Sequence, residues 1–273
     1  TLDKDLQIRA QKEMEGMAGA AVAIKVNSGE ILAMATSPTY NPDIFTNGIS
    51  TKDWLELLDH PRNPLQNRAI GGQYPPGSTF KPVTALLAAA HPEISKVDEL
   101  IDCEGKTRIG NRDFRCWKRS GHGPTNLKKA IRESCDVWFY HMAMRLGIDR
   151  IAAMARDLGL GQSYDLPLDS ERDGLIPDKE WKRRRLNESW YRGETAISGI
   201  GQGYVLTTPL QLALMTATVA NDGTLYKPHI VKNISSHVNL TQFESLPEVL
   251  HKNIIPQEVK YLEKYDRFKR FID

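Results

Sequence analysis

Apolar residues fall into blocks whose spacing changes along the chain. Early on they form two short continuous runs, Ala20-Ala21-Val22-Ala23-Ile24 and Ile31-Leu32-Ala33-Met34-Ala35, separated by Asn27-Ser28-Gly29. Two such runs about a Ser-Gly turn predict a β-hairpin, largely buried. An amphipathic helix is expected over residues 3–15. Residues 37–50 are rich in Ser, Pro, Asn and Thr and predict a loop, and Trp54-Leu55-Glu56-Leu57-Leu58 predicts a short helix. The Ala/Leu-rich run from Pro82 to Ala90 reads as a buried helix that begins after the Pro75-Pro76-Gly77 punctuation. Further helices are expected near 126–133, 136–146 and 148–158, with Gly147 and Gly159 as C-terminal stops. Thr208-Pro209 supplies an N-cap with Pro behind it, so a helix should run to about Ala220 and end at Asn221-Asp222-Gly223. Tyr226 to Val231 predicts a strand. Residues 100–125 are polar and read as irregular. The final forty residues show no clear pattern.

With 273 residues the chain can bury one sizeable core. Lys and Arg total 36 against 34 Asp and Glu, so no overall field points to nucleic acid or a membrane surface. The longest basic run, Lys182-Arg183-Arg184-Arg185, lies among Asp178, Glu180 and Glu188 and reads as a solvated face. No stretch is apolar enough to span a bilayer, and the first residues do not form a signal peptide.

Ser78-Thr79-Phe80-Lys81 places a hydroxyl and an amine three positions apart at the start of the Ala/Leu-rich helix. Residues at that spacing share a face. A serine is a weak nucleophile until a base takes its proton, and a lysine serves when burial favours its neutral form. The competing reading is a helix-capping Ser with a solvated Lys. Ser134-Cys135-Asp136 puts a second hydroxyl and a carboxylate at another helix start. It is either an ordinary cap or a proton relay beside a substrate-binding carboxylate.

These motifs resemble a known family. S-x-x-K with S-D-N and K-T-G characterises penicillin-binding proteins and class A β-lactamases, and here the second motif takes the form S-x-D. The longer strings Gly71-Gly72-Gln73-Tyr74-Pro75-Pro76-Gly77-Ser78-Thr79-Phe80-Lys81-Pro82 and Ser198-Gly199-Ile200-Gly201-Gln202-Gly203-Tyr204, with Ser28 to Met34, are similar to class B penicillin-binding proteins of the cell-elongation type. The resemblance runs from residue 1 to about 232. It implies an α/β fold of the α+β type, an antiparallel sheet flanked by helices, with residues 1–273 forming one transpeptidase domain. It implies D,D-transpeptidation of peptidoglycan stem peptides through an acyl-serine. Ser78 would be the nucleophile, Lys81 its activator, Ser134 a proton shuttle and Asp136 a substrate ligand. β-Lactam antibiotics would acylate Ser78. The implied partners are a scaffold protein of the rod-shape complex and a membrane glycosyltransferase, without nucleic acid. The implied location is the periplasmic face of the inner membrane, held by an N-terminal helix outside this sequence. A D,D-carboxypeptidase or a β-lactamase would share the motifs, and Glu171 and Glu180 are available as a deacylating base. A scaffold module that has lost catalysis is the non-enzymatic alternative.

The family's third motif, K-T-G or K-S-G, does not occur, and the nearest match is Lys106-Thr107-Arg108. The motif's strand and its neighbours are therefore expected beyond Asp273, leaving this chain incomplete at its C-terminus and impaired alone. The three cysteines, Cys103, Cys116 and Cys135, lie in one window with His122. Three thiolates and an imidazole make a complete tetrahedral zinc set, which would order the polar segment 100–125. A Cys103–Cys116 disulfide with Cys135 free, or unrelated cysteines, are the alternatives.

Overall fold

The computed structural model describes residues 1–46, 48–96, 98–235 and 242–255. Helix α1 (Lys4–Glu13) is capped by Asp3, whose side chain accepts from Leu6 N, and it leads into an antiparallel pair, β1 (Gly19–Ile24) and β2 (Ile31–Ser37). In β2 every second residue is buried, Ile31, Ala33 and Ala35 among them, as a strand with one face on a core requires. β1 is only half-buried, short of the burial its apolar run predicts. The outer edge of β2 is not left open. Asp3 N donates to Leu32 O, and the Gln7 amide exchanges two hydrogen bonds with the backbone of Met34 at 2.7 and 3.0 Å. A helix side chain there does what a neighbouring strand would do.

Helices α2 (Thr51–Asp59) and α3 (Arg68–Gly71) follow. A single 3₁₀ turn, Gly77–Phe80, then runs into α4 (Lys81–Ala90), with Pro82 inside its first turn where the missing N–H costs nothing. The segment expected to be irregular is not. It holds β3 (Ile101–Cys103), β4 (Lys106–Ile109), β5 (Arg112–Arg115) and β6 (Gly123–Thr125) in two antiparallel pairs, β3 with β6 and β4 with β5. Gly110-Asn111 makes the two-residue turn between β4 and β5. Helices α5 (Leu127–Arg132), α6 (Asp136–Leu146) and α7 (Ile148–Asp157) come next, close to expectation. Helices α8 (Lys179–Leu186), α9 (Arg192–Ser198) and α10 (Pro209–Ala220) follow, with the Thr208 cap in place. The strand predicted over 226–231 is only β7 (Leu225–Tyr226), since Pro228 has no N–H for a ladder. It pairs with a late segment, Val249–His251.

Two apolar cores result. One gathers α4, α6 and α7 around Phe80, Trp138, Phe139 and Leu158, and includes all three cysteines. The other packs the hairpin against α3 and α10 through Ile31, Ile70, Leu210 and Leu214. The 3₁₀ turn and the head of α4 therefore lie where helical packing gives way to the hairpin layer.

The basic run also differs from expectation. Lys182 is fully buried, while Arg183 to Arg185 stay exposed. Its Nζ lies 2.5 Å from Glu194 and 3.2 Å from Glu188, and 4.4 Å from the centre of the Tyr191 ring. Burial alone would lower its pKa, but the two carboxylate hydrogen bonds outweigh it and raise the pKa.

His141 joins the β4–β5 hairpin to α6 through a 3.0 Å contact with Thr107 Oγ1. Burial lowers its pKa, and Arg145 adds to the effect. A histidine with a depressed folded pKa stabilises the protein above its unfolded pKa, about 6.5, and that contribution is lost as pH falls toward the folded value. Thermal stability should therefore decline on acidification below about pH 6.5. Melting curves of the His141→Gln variant between pH 7 and 5 should show a shallower slope. An unchanged slope would remove His141 as the cause.

Candidate active site

Ser78 is placed by three stretches of chain far apart in sequence. It sits in the 3₁₀ turn, whose three-residue repeat brings Ser78 and Lys81 to one side. Gly77 N donates to Gly201 O at 2.8 Å, and Thr84 Oγ1 donates to Gly199 O at 2.8 Å, so the 199–201 segment is docked against the turn. Gly201 has φ +69°, and a Cβ there would lie 2.5 Å from Gly77 O and from the Phe80 Cβ. Both the left-handed backbone and the close approach require glycine.

The junction between α5 and α6 provides the third stretch. Ser134 has φ +51°, a conformation uncommon for a residue with a Cβ, and this turns its hydroxyl toward Ser78. Ser134 Oγ donates to Ser78 Oγ at 3.0 Å. Lys81 Nζ donates to Ser134 Oγ and Ser134 O, each at 2.9 Å, and to Asp136 Oδ1 at 2.6 Å. Both Lys81 and Asp136 are buried. The other Asp136 oxygen accepts from Trp117 N at 2.9 Å. The four predicted residues thus meet in one chain of contacts. The path from Lys81 to Ser78 passes through Ser134, whereas the four-residue spacing had suggested a direct pair.

A cavity of about 480 Å³ opens over Ser78 and is lined by Ser134, Asp136, Trp117, Arg115, Arg119 and Gln202, among others. Sequence reasoning singled out neither Arg115, Trp117 nor Arg119, because nothing in a polar stretch marks which of its residues face a site. The indole of Trp117 is exposed yet held. Its Nε1 donates to Glu133 O and Ser134 O at 3.0 and 3.1 Å, and its ring meets the His122 ring edge-on at 5.4 Å.

Behind this wall lie Cys103, Cys116, His122 and Cys135, all buried, with their ligand atoms within 4.8 Å of one another. The three cysteines are free thiols, so the disulfide alternative is not what the structure carries. His122 Nδ1 lies 3.5 Å from Cys103 Sγ and 3.5 Å from Cys116 Sγ. A nitrogen and a sulfur on one tetrahedral zinc, at about 2.1 and 2.3 Å, are about 3.6 Å apart, so the set fits that ion. The Cys116 thiol is made more acidic chiefly by its hydrogen bond with Cys135, and that bond together with burial pushes Cys135 up. Cys116 also borders the cavity, and Cys135 lies between Ser134 and Asp136 in the chain.

The two carboxylates considered as a deacylating base are engaged elsewhere. Glu171 accepts from Tyr164 N and Leu166 N at 2.8 and 3.1 Å, and Glu180 pairs with Arg184 on the exposed side of α8.

Comparisons with known proteins identify the family of the chain. Residues 19–261 match the penicillin binding protein transpeptidase domain family. The peptidoglycan D,D-transpeptidase MrdA of Acinetobacter baumannii is 43% identical over 234 residues, 85% of this chain and 35% of that protein. MrdA of Escherichia coli K12 is 38% identical over 232 residues, 85% of this chain and 37% of that protein. The chain thus spans little more than a third of the length of these relatives. Among solved structures, PBP2 of Pseudomonas aeruginosa in complex with WCK 5153 superposes with a TM-score of 0.85 at 38% identity, covering 97% of this chain and 56% of that one. PBP2 of Helicobacter pylori gives a TM-score of 0.83 at 35% identity, with 97% and 48% covered. The chain belongs to the penicillin-binding protein transpeptidase family and is of the PBP2/MrdA type.

Proposed function

We propose that this chain carries the acylation machinery of a peptidoglycan D,D-transpeptidase. The observation that carries the reading is the continuous contact chain Ser78 Oγ–Ser134 Oγ–Lys81 Nζ, at 3.0 and 2.9 Å, opening on a cavity. Ser78 attacks the carbonyl of the penultimate D-Ala of a stem peptide. Ser78 passes its proton through the Ser134 hydroxyl to the Lys81 amine, which accepts it in its unprotonated form, and the same proton returns along that path to the nitrogen of the departing D-Ala. The Ser78 N–H, in the first turn with no helical acceptor, stabilises the developing oxyanion. An amine of a second stem then takes the acyl group from Ser78. Asp136 holds Lys81 in place and faces the peptide. In the family the resemblance points to, the second oxyanion donor belongs to a K-[ST]-G strand, and no such motif occurs in these 273 residues.

The Cys103/Cys116/His122/Cys135 set holds zinc. Bound there, the ion would be structural and would tie the β3 and β6 region to the head of α6, beside Trp117 and Ser134. The reading also extends to surroundings. One related structure is a complex of H. pylori PBP2 with MreC, and another concerns coordination of polymerisation and crosslinking in a peptidoglycan synthase complex. A scaffold protein and a membrane glycosyltransferase are accordingly the partners proposed for the full-length protein, at the periplasmic face of the inner membrane. β-Lactams are the proposed inhibitors, as an imipenem acyl-enzyme is known for the related penicillin-binding protein A of M. tuberculosis. The engaged positions of Glu171 and Glu180 favour a stable acyl-enzyme over β-lactam hydrolysis.

The test is mass spectrometry of the full-length protein after exposure to penicillin. A single long-lived adduct on the peptide containing Ser78 is expected, and it should be absent from Ser78→Ala. Rapid turnover of penicillin with no adduct would point to a lactamase instead.

A further inference from the structure

Charge along this chain is nearly balanced overall but not locally. Between residues 106 and 132, Asp113 is the only acidic residue against nine Lys and Arg. Several of those cations are engaged. Lys106 pairs with Asp113 at 2.7 Å, Arg132 with Glu133 at 2.6 Å, and Lys129 Nζ donates to His122 O and Pro124 O. The Arg112 guanidinium lies over the Phe114 ring. Arg115 and Arg119 differ from these. Both line the cavity over Ser78, and neither guanidinium has a hydrogen bond or ion pair among the described residues. Inside the cavity, the charge of Lys81 is already matched by Asp136. Both arginines are exposed, and although Asp113 feels the charge of Arg115, neither is ion-paired, so the two add positive charge at the pocket.

Their backbone is fixed as well. Cys116, between Arg115 and Trp117, is buried among the cluster of thiols, and its N–H donates to Gly105 O at 2.8 Å. Arg119 O packs so closely on Gly105 that a Cβ there would lie 2.0 Å from it. Trp117, between the two arginines in the chain, is exposed but tethered by its Nε1 and its backbone N–H. A tethered ring and two guanidiniums without an ion pair, lining one cavity, suit a ligand with an apolar stretch and a carboxylate, which guanidinium binds in a two-pronged fashion.

We propose that Arg115 and Arg119 form a carboxylate subsite that selects acyl-donor peptides bearing an acidic side chain next to the D-Ala-D-Ala end. This rests on the transpeptidase reading and adds substrate selection to it. The subsite shares one cavity with Ser78 and Asp136, the carboxylate proposed to face the peptide.

The experiment uses the full-length protein and two synthetic donors ending in D-Ala-D-Ala, identical except that the preceding residue carries a side-chain carboxylate or its carboxamide. Release of D-Ala gives kcat/KM for each. The wild-type protein should favour the carboxylate donor by about tenfold or more. In Arg115→Gln/Arg119→Gln the preference should fall to about one, mostly through KM, and Arg115→Lys/Arg119→Lys should recover part of it. The ratio is insensitive to a misfolded fraction, which lowers both rates together. A wild-type ratio near one, or a ratio unchanged in the double Gln variant, would overturn the subsite. Failure of penicillin to label wild-type Ser78 would instead overturn the transpeptidase reading itself.

Discussion

Lys81→Met is expected to slow acylation of Ser78 by penicillin by roughly 100- to 10,000-fold, the range for loss of a positioned base. Methionine matches the lysine stem in volume, so packing at the head of α4 is largely kept. The charge is what disappears, with two separable effects. Lys81 Nζ no longer serves the Ser134 hydroxyl that contacts Ser78. Asp136, buried and 2.6 Å from that amine, loses its cation. Removing one member of a buried ion pair destabilises a protein by about 3–5 kcal/mol, because the other charge stays buried without its partner. Lys81→Met/Asp136→Asn isolates the first effect. The amide needs no cation and keeps an oxygen for Trp117 N, so stability should return while acylation stays slow. Second-order acylation rates and denaturant melts on the three proteins decide the matter. If Lys81→Met acylates within about tenfold of wild type, Lys81 is not the base.

Removing the metal should act on fold and site together. Elemental analysis of protein purified without added metal should find one zinc per chain. Structural zinc contributes on the order of 10 kcal/mol in small zinc-dependent domains. Here the thiols also belong to the apolar core of the helical layer, so part of the order survives. A fall in melting temperature of about 10 °C or more on strong chelation is expected, since each kcal/mol is worth about 2–4 °C in a protein of this size. Penicillin labelling should fall with it, because Cys116 and Cys135 adjoin Trp117, Ser134 and Asp136. Zinc should restore both. Metal-free protein with unchanged melting and labelling would sink the structural zinc.

Much of this was legible in the sequence wherever a short-range signal carried it. The hairpin, the head of α4 with Pro82, the Gly147 and Gly159 stops and the Thr208 cap are all local chemistry. Ser78, Lys81, Ser134 and Asp136 were legible as types at spacings. What was not legible depended on tertiary context. The β4–β5 hairpin hid in a polar stretch because its strands bury little more than Phe114. Lys182 looked like one more surface cation, yet the turn of α8 points it inward toward Glu194 while its neighbours face out. The route from Lys81 to Ser78 through Ser134 needed the positive φ of Ser134, which no pattern announces.

The docking of the 199–201 segment on the Ser78 turn bears on when reactivity arises. The bonds that fix the nucleophile join residues 53 and 115 positions apart, from Lys81 to Ser134 and from Thr84 to Gly199. Such long-range closures come late in folding, after local helices have formed. A chain emerging from synthesis therefore carries its serine, its lysine and even the helix between them without being able to use them. Chemical competence arrives only when the segment around Gly201 closes over the turn.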